Sequence, residues 1–206
     1  MDVEGVPWTR LFVSRSTMGV RAIFLVGFMG SGKSSVGQEL ARRLRWDFVD
    51  LDARIESRER RTIPEIFRDH GEPGFRLVET AALCALTESL ERDTVVALGG
   101  GAFAQEKNRA LIRHWSTVFL EAPVDELWRR SSEEKDTRPL RKDRQQFARL
   151  YAERLPSYRQ AAVAVETAGK DLVSICAEIE SALQLATAKA DSSSDLSASS
   201  KTGGLR

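Results

Sequence analysis

The stretch GFMGSGKSS, Gly27 to Ser35, constrains this chain more than any other. It matches GxxxxGK[ST] through Gly27, Gly32, Lys33 and Ser34, and it sits between an apolar run, AIFLVG at 22–27, and a helix-like run, SVGQELARRL. Glycines at these spacings let backbone N–H groups turn inward around phosphate oxygens at a helix N-terminus. The lysine then reaches the β- and γ-phosphates, and the next hydroxyl is a ligand for Mg²⁺. A glycine-rich turn that binds nothing could carry the same letters, but a strand before and a helix after are what a phosphate loop requires. The segment reads as a nucleotide site.

Short β-rich runs also occur near 46–50, 94–98, 116–120 and 161–166, each followed by a periodic or charged helical stretch. This alternation predicts an α/β domain: a parallel sheet with helices on both faces and ligands at the carboxyl ends of its strands. TIPE, 62–65, carries the capping-box pattern that opens a helix. At 206 residues, 42% of them hydrophobic, the chain can bury one such core. Residues 1–19 show no sustained periodicity and read as an N-terminal extension, leaving a domain over 20–186. The Ser-rich residues 187–206 hold too few large apolar groups to offset their ordering entropy, which predicts a disordered tail.

Composition removes several function classes. With 31 Lys and Arg against 30 Asp and Glu there is no global basic field, and no basic-aromatic stripe, to hold nucleic acid or an anionic membrane. No apolar run approaches the roughly 18 residues of a membrane span, and the N-terminus lacks a signal-peptide pattern, so a cytoplasmic protein is expected. Cys84 and Cys176 form no CxxC and read as reduced, buried packing residues. Trp46, Trp115 and Trp128 also read as packing residues.

FVDLDARIE, 48–56, places Asp50 and Asp52 around one leucine. In a strand these carboxylates would share a face and repel each other. A phosphate-loop enzyme needs an acidic residue at a neighbouring strand end, and the run TVVAL at 94–98 leads into Gly99, so Asp50 and Asp52 are the candidates. One can face Mg²⁺ through water, since that ion dehydrates reluctantly, while the other accepts the proton of an acceptor hydroxyl. The structural alternative is that Asp52 caps a helix starting at Ala53 while Asp50 is solvated. Taken alone the two readings weigh evenly; the phosphate loop favours the chemical one.

GFRLVE puts Arg76 and Glu79 three apart on a helix, where Glu79 can orient the guanidinium. ERLPSY adds Arg154, and two arginines suit a planar carboxylate. In ALGGGA, Gly99, Gly100 and Gly101 would admit a ligand against bare backbone. The charged stretch 131–144 reads as a mobile lid whose Arg138 could reach the transferring phosphate, although a charge run is more often a solvated loop.

Taken together, GFMGSGKSSVG, FVDLDARIE, IPEIFRDHGEPGFRLVE, LGGGA, TRPL and RLPSY resemble the shikimate kinase family, in the family's order and over about residues 20–185. The resemblance implies a five-stranded parallel sheet of order 2-3-1-4-5 flanked by helices, a P-loop kinase fold with a mobile lid. It further implies that Gly30, Ser31, Gly32, Lys33, Ser34 and Ser35 bind ATP phosphates. Ser34, with Asp50 through water, would hold Mg²⁺. Asp52, Arg76, Gly99, Gly100, Gly101 and Arg154 would bind shikimate, with Asp52 beside the reacting hydroxyl. Lys33, Asp52 and Arg138 would be catalytic, and Arg130, with Arg129 adjacent, matches the position that packs on adenine. The expected reaction is ATP-dependent conversion of shikimate to shikimate 3-phosphate by a monomer. The rivals are a kinase of another small hydroxy acid such as gluconate, a kinase-like binding module without catalysis, and a nucleic-acid-dependent ATPase. Both ends exceed the family's usual core, and TRPL continues with Arg141 where the family often has an apolar residue.

Overall fold

The computed structural model describes residues 21–133 and 143–185. The proposed N-terminal extension, most of the proposed lid with Arg138, and the proposed tail lie outside the described residues. The elements run β1 (Ala22–Val26), α1 (Lys33–Leu44), β2 (Asp47–Asp50), α2 (Leu51–Glu59), α3 (Ile63–Glu88), β3 (Thr94–Ala97), a short 3₁₀ turn (Ala102–Ala104), α4 (Glu106–Ile112), β4 (Ser116–Glu121), α5 (Val124–Glu133), α6 (Arg144–Tyr158), β5 (Val163–Glu166) and α7 (Leu172–Ala182).

The five strands form one sheet in the order β2-β3-β1-β4-β5, every neighbouring pair parallel. This is the expected fold. β1 lies at the centre, and all five of its residues are buried, which is why it reads as a continuous apolar run. Its alternate residues feed two cores. Phe24 and Val26 join Leu51, Ile66, Leu83 and Phe147 from the α2, α3 and α6 side. Ile23 and Leu25 join Val36, Leu40, Cys176 and Ile179 from α1 and α7.

Several strand limits are shorter than expected, for local reasons. Trp46 does not enter β2, because its N–H bonds to the carbonyl of Ala41 at the end of α1. Ala161 and Ala162 do not enter β5: their N–H groups bond to Tyr158 O and to Thr117 Oγ1. The capping box forms as predicted, with Glu65 accepting from the Thr62 N–H at 2.8 Å. Trp46, Trp115 and Trp128 all pack against the cores. Cys176 is buried as expected, but Cys84 is only partly so, because it lies toward the edge of the packed face of α3.

Two features of the fold build the site. Residues Leu25 and Asp50 both pair with Ala97, so β1, β3 and β2 end at one level and their following loops open on one rim. On that rim α3 breaks at Gly71, whose φ of 64° and ψ of −176° interrupt the helix, and Pro73 is then accommodated in the first turn of the resumed segment. On the other side Phe28, from the phosphate loop, packs edge-on against Phe147 at 4.9 Å and Tyr151 at 5.4 Å. Burying aromatic rings of this size contributes about 1.5–3 kcal/mol each and fixes α6 beneath the loop. Among the described residues no helix is long and apolar enough to cross a membrane.

Candidate active site

A cleft of about 360 Å³ opens on this rim, lined by the phosphate loop, the two aspartates, Arg76, the glycine run and Arg154. Every predicted substrate, metal and phosphate-loop residue within it is thus brought to one place, apart from Ser31, which is buried behind the loop at 1% exposure.

At the loop end, no side chain caps the N-terminus of α1. Its first-turn N–H groups have no intrahelical partner, and with the helix dipole they form a ready acceptor for phosphate. Gly30 and Gly32 turn the loop in the left-handed region, at φ of 77° and 86°. Lys33 folds back across the loop and donates to the carbonyls of Gly27 at 3.0 Å and Phe28 at 2.9 Å. The loop is braced by its own lysine.

The aspartates are not side by side on a strand. β2 ends at Asp50 and α2 begins at Leu51, so the chain turns between them. The predicted helix cap exists, but on the other aspartate: Asp50 Oδ1 accepts from the N–H of Asp52 at 3.0 Å and of Ala53 at 3.3 Å. Its Oδ2 accepts from the Ser34 hydroxyl at 2.6 Å. Asp50 therefore ties the phosphate loop to the helix that carries Asp52. The Ser34 oxygen keeps its lone pairs, and a hydroxyl beside a carboxylate at a phosphate loop fits a hard cation that completes its shell with water and phosphate oxygens.

Asp52 turns toward the glycine run. A β-carbon added at Gly99 would fall 2.5 Å from Asp52 Oδ1 and 2.9 Å from Glu79 Oε1, so only glycine lets both carboxylates approach this strand end. Glu79 is fully buried. Its Oε2 accepts from Arg76 Nη1 and from Gln105 Nε2, both at 2.9 Å, while Oε1 has no hydrogen-bond partner. Burial pushes the Glu79 carboxyl above its ordinary range, against the opposing pull of Arg76 and with a further push from Asp52. Burial also works against the charge of Arg76, but Glu79 and Glu72 outweigh it and hold the guanidinium above its ordinary value.

Arg76 lies flat against Gly101, where an added β-carbon would come within 2.6 Å of three guanidinium atoms. Arg154 is nearly buried on α6, with its guanidinium 5.8 Å over the Phe28 ring and Nη1 donating to Gly100 O at 3.4 Å. The hydroxyl of Tyr158 donates to the same carbonyl. Burial is the main cause that drives the Tyr158 pKa upward, so it stays a donor.

Arg130 and Arg129 separate clearly. Arg130 bridges α5 to the β5–α7 connection, donating to Glu126 at 2.8 Å and to Thr167 Oγ1 and O at 3.0 Å. Arg129 is 57% exposed and pairs with Glu126. Hydrogen bonding by Arg129, with Arg130 also facing it, draws the Glu126 carboxyl down to about 2.

Sequence reading missed Glu72, Gln105, Tyr158 and the apolar wall of Ile63, Phe67 and Phe75. Tyr158 had a signal, as the last letter of RLPSY. Glu72 and Gln105 had none, because only the bend at Gly71 and the 3₁₀ turn bring them in.

Comparison with known proteins gives the family. A family model for shikimate kinase matches residues 29–184. A shikimate kinase of Geobacter metallireducens is 44% identical over 168 residues, covering 80% of this chain and 93% of its own. Among solved structures, a shikimate kinase from Acinetobacter baumannii in complex with shikimate is 35% identical with a TM-score of 0.75, covering 81% of this chain and 94% of that one. A gluconokinase from Sinorhizobium meliloti, 24% identical with a TM-score of 0.53 over 80% of this chain and 91% of its own, shares the fold.

Proposed function

The chain belongs to the shikimate kinase family, and on that premise we propose that its cleft transfers the γ-phosphoryl of ATP to the 3-hydroxyl of shikimate, giving shikimate 3-phosphate and ADP. It is a phosphotransferase with an alcohol acceptor, and shikimate is its substrate.

The observation that carries the residue roles is that one cleft gathers the phosphate loop, Asp52, Arg76 and Arg154, with Asp52 against Gly99, Arg76 against Gly101 and Arg154 bonded to Gly100 between them. A small acid gripped by the two arginines turns a hydroxyl toward Asp52 and the loop. The α1 N-terminus and Lys33 receive the phosphates. Asp52 orients the attacking hydroxyl and accepts its proton. Arg76 and Arg154 grip the carboxylate, with Glu79 fixing Arg76 from the buried side. The bare backbone of Gly99 to Gly101 forms the floor under the ring. Ser34, with Asp50 through water, would hold Mg²⁺, which supplies neutralisation of the β- and γ-phosphate oxygens. Arg130 is assigned to adenine, and Arg138, on the family's pattern alone, to the transferring phosphoryl. Gluconate is disfavoured, since the likeness to the gluconokinase extends to fold only. Lys33, Ser34 and Asp52 in one cleft argue for a working kinase over a binding module.

Asp52→Asn tests the assignment. Turnover with shikimate should fall about 10²–10⁴-fold, the scale of a lost general base, while ATP affinity measured by calorimetry is retained. Unchanged turnover in that variant removes Asp52 from the chemistry.

A further inference from the structure

The clamp arginines hold a carboxylate of the protein's own. Glu72 Oε1 accepts from Arg76 Nη2 at 2.8 Å and Nε at 3.3 Å, and it lies 3.9 Å from Arg154 Nη2. The Nε–Nη2 edge of a guanidinium is one that grips a carboxylate through two parallel bonds. The rest of Arg76 is committed, with Nη1 on Glu79 and the face against Gly101. An acid entering the clamp therefore meets Glu72 on the edge that it needs.

Glu72 and Glu79 hold the same arginine very differently. The Glu79 side chain is 1% exposed and held further by Gln105, whereas that of Glu72 is 46% exposed. Glu72 directly follows the break at Gly71, so an unbroken helical ladder does not lock it in place. It also serves both arginines with a single oxygen, whereas a free carboxylate can present two. Glu79 is a fixture, and Glu72 is built to leave.

We propose that Glu72 is a resident stand-in for the substrate carboxylate, holding Arg76 and Arg154 in register and compensating their charge until an acid displaces it. This rests on the clamp reading given above. The arrangement also selects: a ligand without a carboxylate gains nothing from the arginines that would offset the displacement, so Glu72 stays in place against it.

Glu72→Gln keeps the shape and removes the charge. The dissociation constant of shikimate, by nucleotide-free calorimetry, and its KM should each fall about two- to fivefold, the scale of one partly screened charge contact. The kcat and the KM for ATP should stay as in the wild type. A shikimate analogue carrying a hydroxymethyl group in place of the carboxylate should show no gain. Unchanged or weaker shikimate affinity, or an equal gain for the analogue, overturns the proposal. Arg154→Leu measured in parallel separates the two levels. If it leaves shikimate affinity untouched, the clamp reading fails and the stand-in with it. If it weakens affinity while Glu72→Gln brings no gain, the stand-in alone fails.

Discussion

At the loop end of the cleft, Lys33 braces carbonyls only six and five residues behind it, and the whole phosphate receptor lies within one strand-loop-helix unit. At the clamp end, Arg76 meets Glu72 and Glu79 on its own helix but lies against Gly101 from another strand end, and Arg154 reaches Gly100 across 54 residues of chain. The loop end satisfies itself locally. The clamp end exists only once the sheet has aligned the ends of β2 and β3 and aromatic packing has seated α6. A nucleotide-binding end can thus stay constant while the acid-binding end is rebuilt from distant parts.

If the two ends are separable in this way, each should break without the other. Of the two ends, the larger effect is expected at the loop: Lys33→Met should lower kcat about 10²–10³-fold, as for loss of one preorganised group on developing charge, while nucleotide-free shikimate affinity remains that of the wild type. A parallel loss of shikimate affinity would show the ends to be coupled. Arg154→Leu comes next and should raise the shikimate KM about 10–100-fold, the value of a lost charge-assisted bond of about 1.5–3 kcal/mol, with the ATP KM unchanged. Because Arg154 also lies over Phe28 of the loop, a shift in ATP KM would reveal that this ring contact transmits between the ends. The smallest effect belongs to Tyr158→Phe, which removes a donor to Gly100 O and a hydroxyl that Arg154 also faces. It should cost about 0.5–1.5 kcal/mol in thermal or denaturant unfolding and change kcat by less than about threefold.

The same contrast decides what could be read before the structure was known. The parallel sheet was legible because each βα unit announces itself locally, and because parallel strands buried on both faces read as apolar runs, whereas the strand order came only with the family resemblance. The loop was legible for the same reason. The members of the clamp were recognisable only as a set resembling a family; alone, Arg76, Arg154 and three glycines carry little. The aspartates show the limit well. Their spacing predicted a shared strand face, but Asp50 caps α2 and so ends the strand, and no local pattern distinguishes a strand-end aspartate from a cap until the N–H groups it accepts from are placed. Glu72 stayed hidden because its role depends on the break at Gly71 and on an arginine from α6.

The most direct test of the central claim is ADP release from Mg·ATP by the purified protein, without acceptor, with shikimate and with gluconate. ADP production that depends on shikimate, with gluconate at the acceptor-free level, is the predicted result. Tight ATP binding without shikimate-dependent ADP release would contradict the account, leaving the phosphate loop in place and the clamp without its substrate.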